Sequence, residues 1–267
     1  MSYVHGYSER ETQRLTEQSF ILEKLLHSGT NYPAGSKVLE AGCGVGAQSY
    51  LLSKRNSHSQ ITSIDISHES LSKASRYLDS LQIENVRFIR ADIMNTGFND
   101  AAFDHVFVCF VLEHLSNPVL ALKELKRVLK SGGSITVIEG DHGSCFWHPE
   151  TRESIDAWNS LIIAQQKLGH DPLVGRKLHP LLQAADFEIQ SVEPRWVYSD
   201  ASNLKLADGV LNKIIVPMVA SAKKQVLNSA IISESTWNKG LSDLEKTACP
   251  PEGTFFYTWF KGVGVKP

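Results

Sequence analysis

Residues 38–49 read VLEAGCGVGAQS, and the fold turns on how this stretch is read. Val38 to Ala41 is a short, mostly apolar run; Gly42, Gly44 and Gly46 follow at alternate positions; AQSYLLSKR then has the composition of a helix. A buried strand, a glycine turn and a helix in direct succession open a strand–helix–strand unit. Glycine permits main-chain conformations that other residues rarely adopt, and it lets a ligand come close to the backbone. Glu40 stands two residues before the first glycine, where its charge would repel an anionic ligand and favour a cationic one.

Upstream, residues 8–28 are expected to form a helix. A Ser8–Glu11 capping box opens it, Leu15, Leu22, Leu25 and Leu26 lie near one face, and Gly29 ends it. Downstream, ITSIDIS, VRFIRADI, FDHVFVCFVLEHL and SITVIEG read as strands two to five. Helices separate them, including one that Asn117 and Pro118 start and Gly132–Gly133 close. Strands alternating with helices imply an α/β fold with a doubly wound, mostly parallel sheet and right-handed crossovers. Past residue 140, helices are expected near 151–168 and in GRKLHPLLQAADF, with a sixth strand in EIQSVEPRWVYS. Residues 202–228 are amphipathic and helical, split by Pro217, and GTFFYTWFKGVGVK is a seventh, aromatic strand. The expected organisation is an N-terminal lid and helix (1–30), a ligand-binding core (31–140), and a segment completing the seven-stranded sheet (141–267). Helical cap insertions at about 141–175 and 200–248 would cover the carboxyl edge of the sheet, where open α/β sheets bind ligands.

The 267 residues are 42% hydrophobic and 21% charged, which is ordinary for a soluble globular protein. A net charge of −2 gives no electrostatic case for a nucleic-acid partner. No apolar run approaches the length of a membrane span and no basic-then-apolar leader is seen, so a cytoplasmic protein without a membrane partner is expected. Cys43, Cys109, Cys145 and Cys249 are scattered without a C-x-x-C pair, which suggests neither a disulfide framework nor a metal site.

Gly42, Gly44 and Ala47 fit the G-x-G-x-x-G/A fingerprint of dinucleotide loops, so an NAD(P)-dependent oxidoreductase is one reading. Glu40 and the whole helix ahead of the motif speak against it. VLEAGCGVGAQS resembles the first motif of the class I S-adenosylmethionine-dependent methyltransferases, an acidic residue followed by G-x-G-x-G. The resemblance covers residues 36–140 and implies a Rossmann-like methyltransferase fold, with S-adenosylmethionine as cofactor and S-adenosylhomocysteine as product. It implies that Gly42, Cys43, Gly44 and Gly46 cradle the methionine part of the cofactor while Glu40 serves its ammonium end, directly or through water. Asp65, in SIDIS at the end of strand two, would accept hydrogen bonds from the ribose diol, a strong charge-assisted arrangement. Asp65 could otherwise cap the helix after it. Ile66 would lie on one adenine face and Ile93 on the other, with Asp92, in RADIMN, on the adenine amino group. The backbone of Cys109 or Phe110, in FVCFVLEHL, would border the reactive methyl. Around VLEAGCGVG and SIDIS the chain is also similar to the quinone-biosynthesis C-methyltransferases.

In YVHGYSERE, Tyr3, His5 and Tyr7 are candidates for a segment that closes over the cofactor, with Tyr7 reaching its carboxylate; the alternative is a frayed terminus. EGDHGSCFWHPETRE, after strand five, places Asp141, His142 and His148 where an acceptor would meet the transferable methyl. A histidine there could remove a proton from a phenol, thiol or acidic carbon; the alternative is loop residues with hydrogen bonds of their own. A cap with aromatic residues suggests a small-molecule acceptor rather than a nucleic acid. CFVLEHL stands after strand four where methyltransferases of nucleic-acid amino groups carry Asn-Pro-Pro-Tyr. The expected activity is direct, in-line methyl transfer from S-adenosylmethionine to a small molecule. A non-catalytic S-adenosylmethionine-binding module is the alternative from a different class.

Overall fold

The computed structural model of the protein describes residues 9–248 and 252–267, with only the backbone of Arg10. Its strands are β1 (Lys37–Ala41), β2 (Gln60–Asp65), β3 (Val86–Arg90), β4 (Phe103–Cys109), β5 (Leu129–His148), β6 (Glu188–Ser199) and β7 (Thr254–Val265). They form one seven-stranded sheet in the order β3-β2-β1-β4-β5-β7-β6. The neighbours β3–β2, β2–β1, β1–β4 and β4–β5 pair in parallel. Val106, Phe107 and Val108 are wholly buried, as a strand covered on both faces requires. The winding reverses at β1, with β2 on one side and β4 on the other. Ala41 is in register with Ile64 and with Val108, so the residues after it emerge between two strand ends.

The chain folds as two compact units. One consists of Glu23–Gly140, Val174–Arg195 and Trp259–Pro267. The other contains the described residues up to Leu22, Asp141–Leu173 and the described part of Trp196–Thr258. In chain order the helices are α1 (Glu9–Ile21), α2 (Glu23–Leu26), α3 (Ala47–Arg55), α4 (His68–Ser80), α5 (Pro118–Val128), α6 (Arg152–Lys167), α7 (Leu178–Ala184), α8 (Leu204–Val210), α9 (Val216–Ser221), α10 (Lys223–Asn228) and α11 (Glu234–Lys246).

In the first unit, Leu39, Ile64, Val106, Val108, Ile135 and Val137 of the sheet share one core with Leu122, Leu125, Leu178 and Leu182 of α5 and α7. Helix α5 is set by local chemistry. Asn117 Oδ1 accepts from Leu120 N at 3.1 Å, Pro118 occupies the first turn, and Ala121, Leu122, Leu125 and Val128 recur on one buried face. In the second unit, α6 and α11 approach so closely at Gly240 that a Cβ there would collide with the Glu153 carbonyl. Thr151 Oγ1 donates to Asp243 Oδ2 at 2.8 Å beside this contact.

Two expectations change in detail. The helix expected over 8–28 is two helices, α1 and α2. Its apolar period runs on through Leu22, but Ile21 packs at Gly209 in one unit while α2 belongs to the other. Strand five runs from Leu129 to His148 rather than ending at Gly140, so Asp141, His142 and His148 stand on a strand and not in a loop after it. Residues 141–148 have no simple apolar alternation to announce this. The helical stretch around Pro217 divides as expected, with a π-helical turn at Leu211–Ile215 between α8 and α9. Proline has no N–H to continue a regular helical ladder.

Candidate functional site

The glycine turn is anchored to β2: Gly42 N and Cys43 N both donate to Ile64 O, at 2.8 and 2.9 Å. Gly42, Gly44 and Gly46 have φ of 80°, 53° and 83°, in the left-handed region where glycine carries no side-chain penalty. The three differ in what they face. A Cβ on Gly42 would collide with Val111, and one on Gly46 would sit 2.9 Å from Ala74 Cβ. A Cβ on Gly44 would meet nothing within 4 Å. Two glycines therefore allow close packing, and the middle one presents bare backbone to open space.

Two carboxylates brace the turn. Asp65 Oδ2 accepts from Gly44 N at 2.9 Å and Oδ1 from Ser67 N at 2.8 Å. The cap of α4 is Ser67, whose hydroxyl accepts from Ser70 N, so Asp65 is not the helix cap. Glu40 is buried, and its Oε2 accepts from the hydroxyls of Ser49 and Ser63, each at 2.5 Å. Its Oε1 is buried without a partner among the described residues. Burial pushes the Glu40 carboxyl up to about 7; the serine hydroxyls oppose the shift and the nearby Asp65 charge adds to it. A buried acid with one idle oxygen suits a cationic donor far better than an anion. Behind the turn, burial lowers His27 to about 4, so the neutral ring donates from Nε2 to Gln48 Oε1 at 2.7 Å and ties down the start of α3.

The remaining cofactor candidates lie on the same unit. Ile66 is 53% exposed immediately after β2, an unusual place for a large aliphatic side chain at a strand end, and its carbonyl accepts from Arg90 Nε at 3.1 Å. Asp92 follows β3 and accepts from Met94 N at 2.9 Å, while Ile93 beside it is buried. At the end of β4, Cys109 is buried and Phe110 holds a φ of 59°, its N–H donating to Ile138 O at 2.9 Å. A non-glycine residue in this region is sparsely populated and is held by its surroundings. Burial pushes the Cys43 and Cys109 thiols well above the usual cysteine range, as small packing residues rather than nucleophiles require.

Glu139, on β5, has no place in the sequence reading. It is wholly buried, and its Oε1 accepts from Val111 N at 2.9 Å and Leu112 N at 2.7 Å. Burial first, and the Glu113 charge second, push its carboxyl up to about 8. The available signal was positional: it is an acidic residue where the pairing of a core strand with β4 ends, much as Glu40 is near the end of β1.

Asp141, His142 and His148 belong to the other unit. Asp141 is buried and accepts from Gly143 N at 3.1 Å and Ser144 Oγ at 2.9 Å. His142 is buried, its Nδ1 2.6 Å from the Tyr257 hydroxyl and its ring edge-on to Trp158. His148 is exposed and precedes a cis proline, Pro149. Tyr3, His5 and Tyr7 lie outside the described residues. Among the described residues, no helix is long and apolar enough to cross a membrane, and no group of three or more His, Cys, Asp or Glu could hold a metal.

Residues 39–137 match the family described as a methyltransferase domain. Over 124 residues the chain is 36% identical to a demethylmenaquinone methyltransferase of Staphylococcus epidermidis, an alignment covering 46% of this chain and 51% of the relative. The chain thus spans about half the length of that relative. Among solved structures, the fold is shared with phosphoethanolamine N-methyltransferase 2 of Haemonchus contortus, in complex with phosphomonomethylethanolamine and S-adenosylhomocysteine. The TM-score is 0.59 at 15% identity, covering 100% of this chain and 61% of that one. The [4+2]-cyclase SpnF shares the fold at a TM-score of 0.57 and 21% identity, covering 100% of this chain and 85% of the cyclase.

Proposed function

We propose that this chain, whose residues 39–137 match a methyltransferase-domain family, is a class I S-adenosylmethionine-dependent methyltransferase that moves the methyl group of S-adenosylmethionine to a small-molecule acceptor. One observation carries the reading: beside a glycine turn that presents bare backbone at Gly44, Glu40 keeps a buried oxygen without a partner among the described residues. The residues fit the cofactor. Glu40 Oε1 would take its ammonium group, and the backbone at Gly42, Cys43, Gly44 and Gly46 would lie along its methionine part. Asp65 would accept the ribose hydroxyls on the lone pairs left by Gly44 and Ser67. Ile66, Asp92 and Ile93 would receive adenine, and the turn at Cys109 and Phe110 would border the methyl end. A dinucleotide would bring a pyrophosphate against the same buried acid, which is why the oxidoreductase reading falls behind.

The cofactor, when bound, supplies an already activated methyl group. The chain then has to bind the acceptor, orient it in line and keep water out. Asp141, His142 and His148 are the proposed proton-handling residues, His142 together with the Tyr257 hydroxyl, and they matter only where the acceptor must lose a proton. The name of the Staphylococcus relative, a demethylmenaquinone methyltransferase, supports a quinone-like acceptor. A non-catalytic S-adenosylmethionine-binding module is the second reading. Calorimetric titration with S-adenosylhomocysteine and with NADH tests the cofactor. Micromolar binding of the former alone, about −8 kcal/mol, is expected, and binding of NADH alone sinks the proposal. Turnover of S-adenosylmethionine with a panel of hydroquinones and phenols separates the catalyst from the module.

A further inference from the structure

We propose that Glu139 is a positioning residue for the cofactor: by gripping two backbone N–H groups it fixes the turn after β4 against the glycine turn. This rests on the cofactor reading above. β4 ends at Cys109, and the next two residues, Phe110 and Val111, lead into a short 3-10 turn, Leu112–His114. A helical turn of this length leaves its leading N–H groups without internal acceptors. Glu139 Oε1 supplies the acceptor for both Val111 N and Leu112 N, and Phe110 N is taken by Ile138 O next to it. Two consecutive residues of β5 thus hold three consecutive N–H groups. This clamp stabilises Phe110 at a φ of 59°, a conformation that persists only where neighbouring contacts over-determine it.

The clamp reaches the glycine turn through Val111. Its two γ-methyl groups fill the space that a Cβ on Gly42 would need, with Cγ1 at 3.0 Å from that position. Glu139, Val111 and Gly42 are therefore one packed chain of contacts, from the middle of β5 to the loop that carries Gly44. Loss of the grip frees Val111, and with it the wall that keeps the glycine turn in its binding conformation. Both N–H groups use the same oxygen of Glu139, so an amide oxygen can replace it, whereas a methyl cannot. The buried charge environment does not favour an ionised carboxylate here, since burial and Glu113 both oppose it. The grip, not the charge, is the feature that Glu139 supplies.

The test is S-adenosylhomocysteine titration of the full chain and its Glu139→Ala and Glu139→Gln variants at 25 °C, with hydrogen exchange of the peptide spanning residues 107–115. Glu139→Ala is expected to bind at least tenfold more weakly while remaining folded by circular dichroism, with faster exchange at Val111 and Leu112. Glu139→Gln is expected to recover affinity to within threefold of wild type, with exchange protection restored. Unchanged affinity in Glu139→Ala overturns the proposal, and so does a Glu139→Gln variant as weak as Glu139→Ala. If Glu139→Ala does not fold, Glu139→Asp, one methylene short of the two N–H groups, takes its place with the same two outcomes. Wild-type protein that binds no S-adenosylhomocysteine would refute the cofactor reading instead, so the two failures are distinct.

Discussion

The three glycines of the turn predict two different kinds of loss. At Gly44, φ is 53° and a Cβ would meet no atom within 4 Å, so Gly44→Ala meets only the left-handed backbone penalty. That penalty is about 1–2 kcal/mol, which for a chain of this size lowers Tm by about 2–8 °C. At Gly42, φ is 80° and the Cβ collides with Val111, whose N–H is held by Glu139. The same backbone penalty is joined by an overpacking cost of about 1–3 kcal/mol, so Gly42→Ala should melt well below Gly44→Ala. Affinity should follow the reverse logic. The methyl group of Gly44→Ala enters the space where the cofactor is proposed to lie against the backbone, and a loss of about 3 kcal/mol there is about a hundredfold in Kd. The assay pairs S-adenosylhomocysteine calorimetry at 25 °C with thermal melts of both variants. Gly44→Ala binding within threefold of wild type, whatever its melting temperature, refutes the assignment of the open space beside Gly44 to the cofactor.

Three further outcomes follow from the two acids and the proposed ligand. With Glu40 near pH 7 in the free protein, arrival of an ammonium group should displace about half a proton at neutral pH. The binding enthalpy should then differ between phosphate and Tris buffers in wild type and not in Glu40→Gln; identical enthalpies in wild type would remove Glu40 from the ammonium site. In the ligand-free protein, Glu40 and Glu139 both have folded values raised above the usual carboxylate range, to about 7 and about 8. Their contribution to stability is fully present below the unfolded carboxyl value and is lost as pH rises through 7 and 8. Melting temperature should fall between about pH 5 and 8, level off above that, and fall less in the two glutamine variants; an equal fall in the variants would mean that other groups cause it. Asp65→Ala removes the acceptor for Gly44 N and Ser67 N together with the proposed ribose contact, and should weaken S-adenosylhomocysteine binding at least a hundredfold. Near-normal affinity measured by equilibrium dialysis would end that role for Asp65.

What could be read from the sequence was what local patterning controls. The strand–turn–helix at Val38–Ser49, the Asn117–Pro118 helix start and the placement of Asp65 and Asp92 at the carboxyl ends of strands depend on residues close in the chain; Asp65 is the last residue of β2 and Asp92 follows β3 by two residues. What escaped depends on partners far apart. The grip on Glu40 joins positions 9 and 23 residues away, and the grip of Glu139 on Val111 and Leu112 spans 28 and 27. An acid near a strand end looks the same in sequence whether it faces water, a ligand or two backbone N–H groups. Asp65 shows the cost of reading it alone: the sequence allowed a helix cap, but Ser67 fills that role and leaves the carboxylate to brace Gly44. The same limit explains β5, whose last eight residues carry no clear alternation yet are strand. Glu40 and Glu139 therefore offer a common rule for this fold. A buried carboxyl on a core strand needs two donors to remain there, and the donors it finds tell its role. Serine hydroxyls leave an oxygen of Glu40 available for a ligand, whereas backbone N–H groups make Glu139 a part of the wall. Exchanging those roles, with Ser63→Ala to loosen Glu40 and Glu139→Gln to keep its grip, should impair binding in the first variant and spare it in the second.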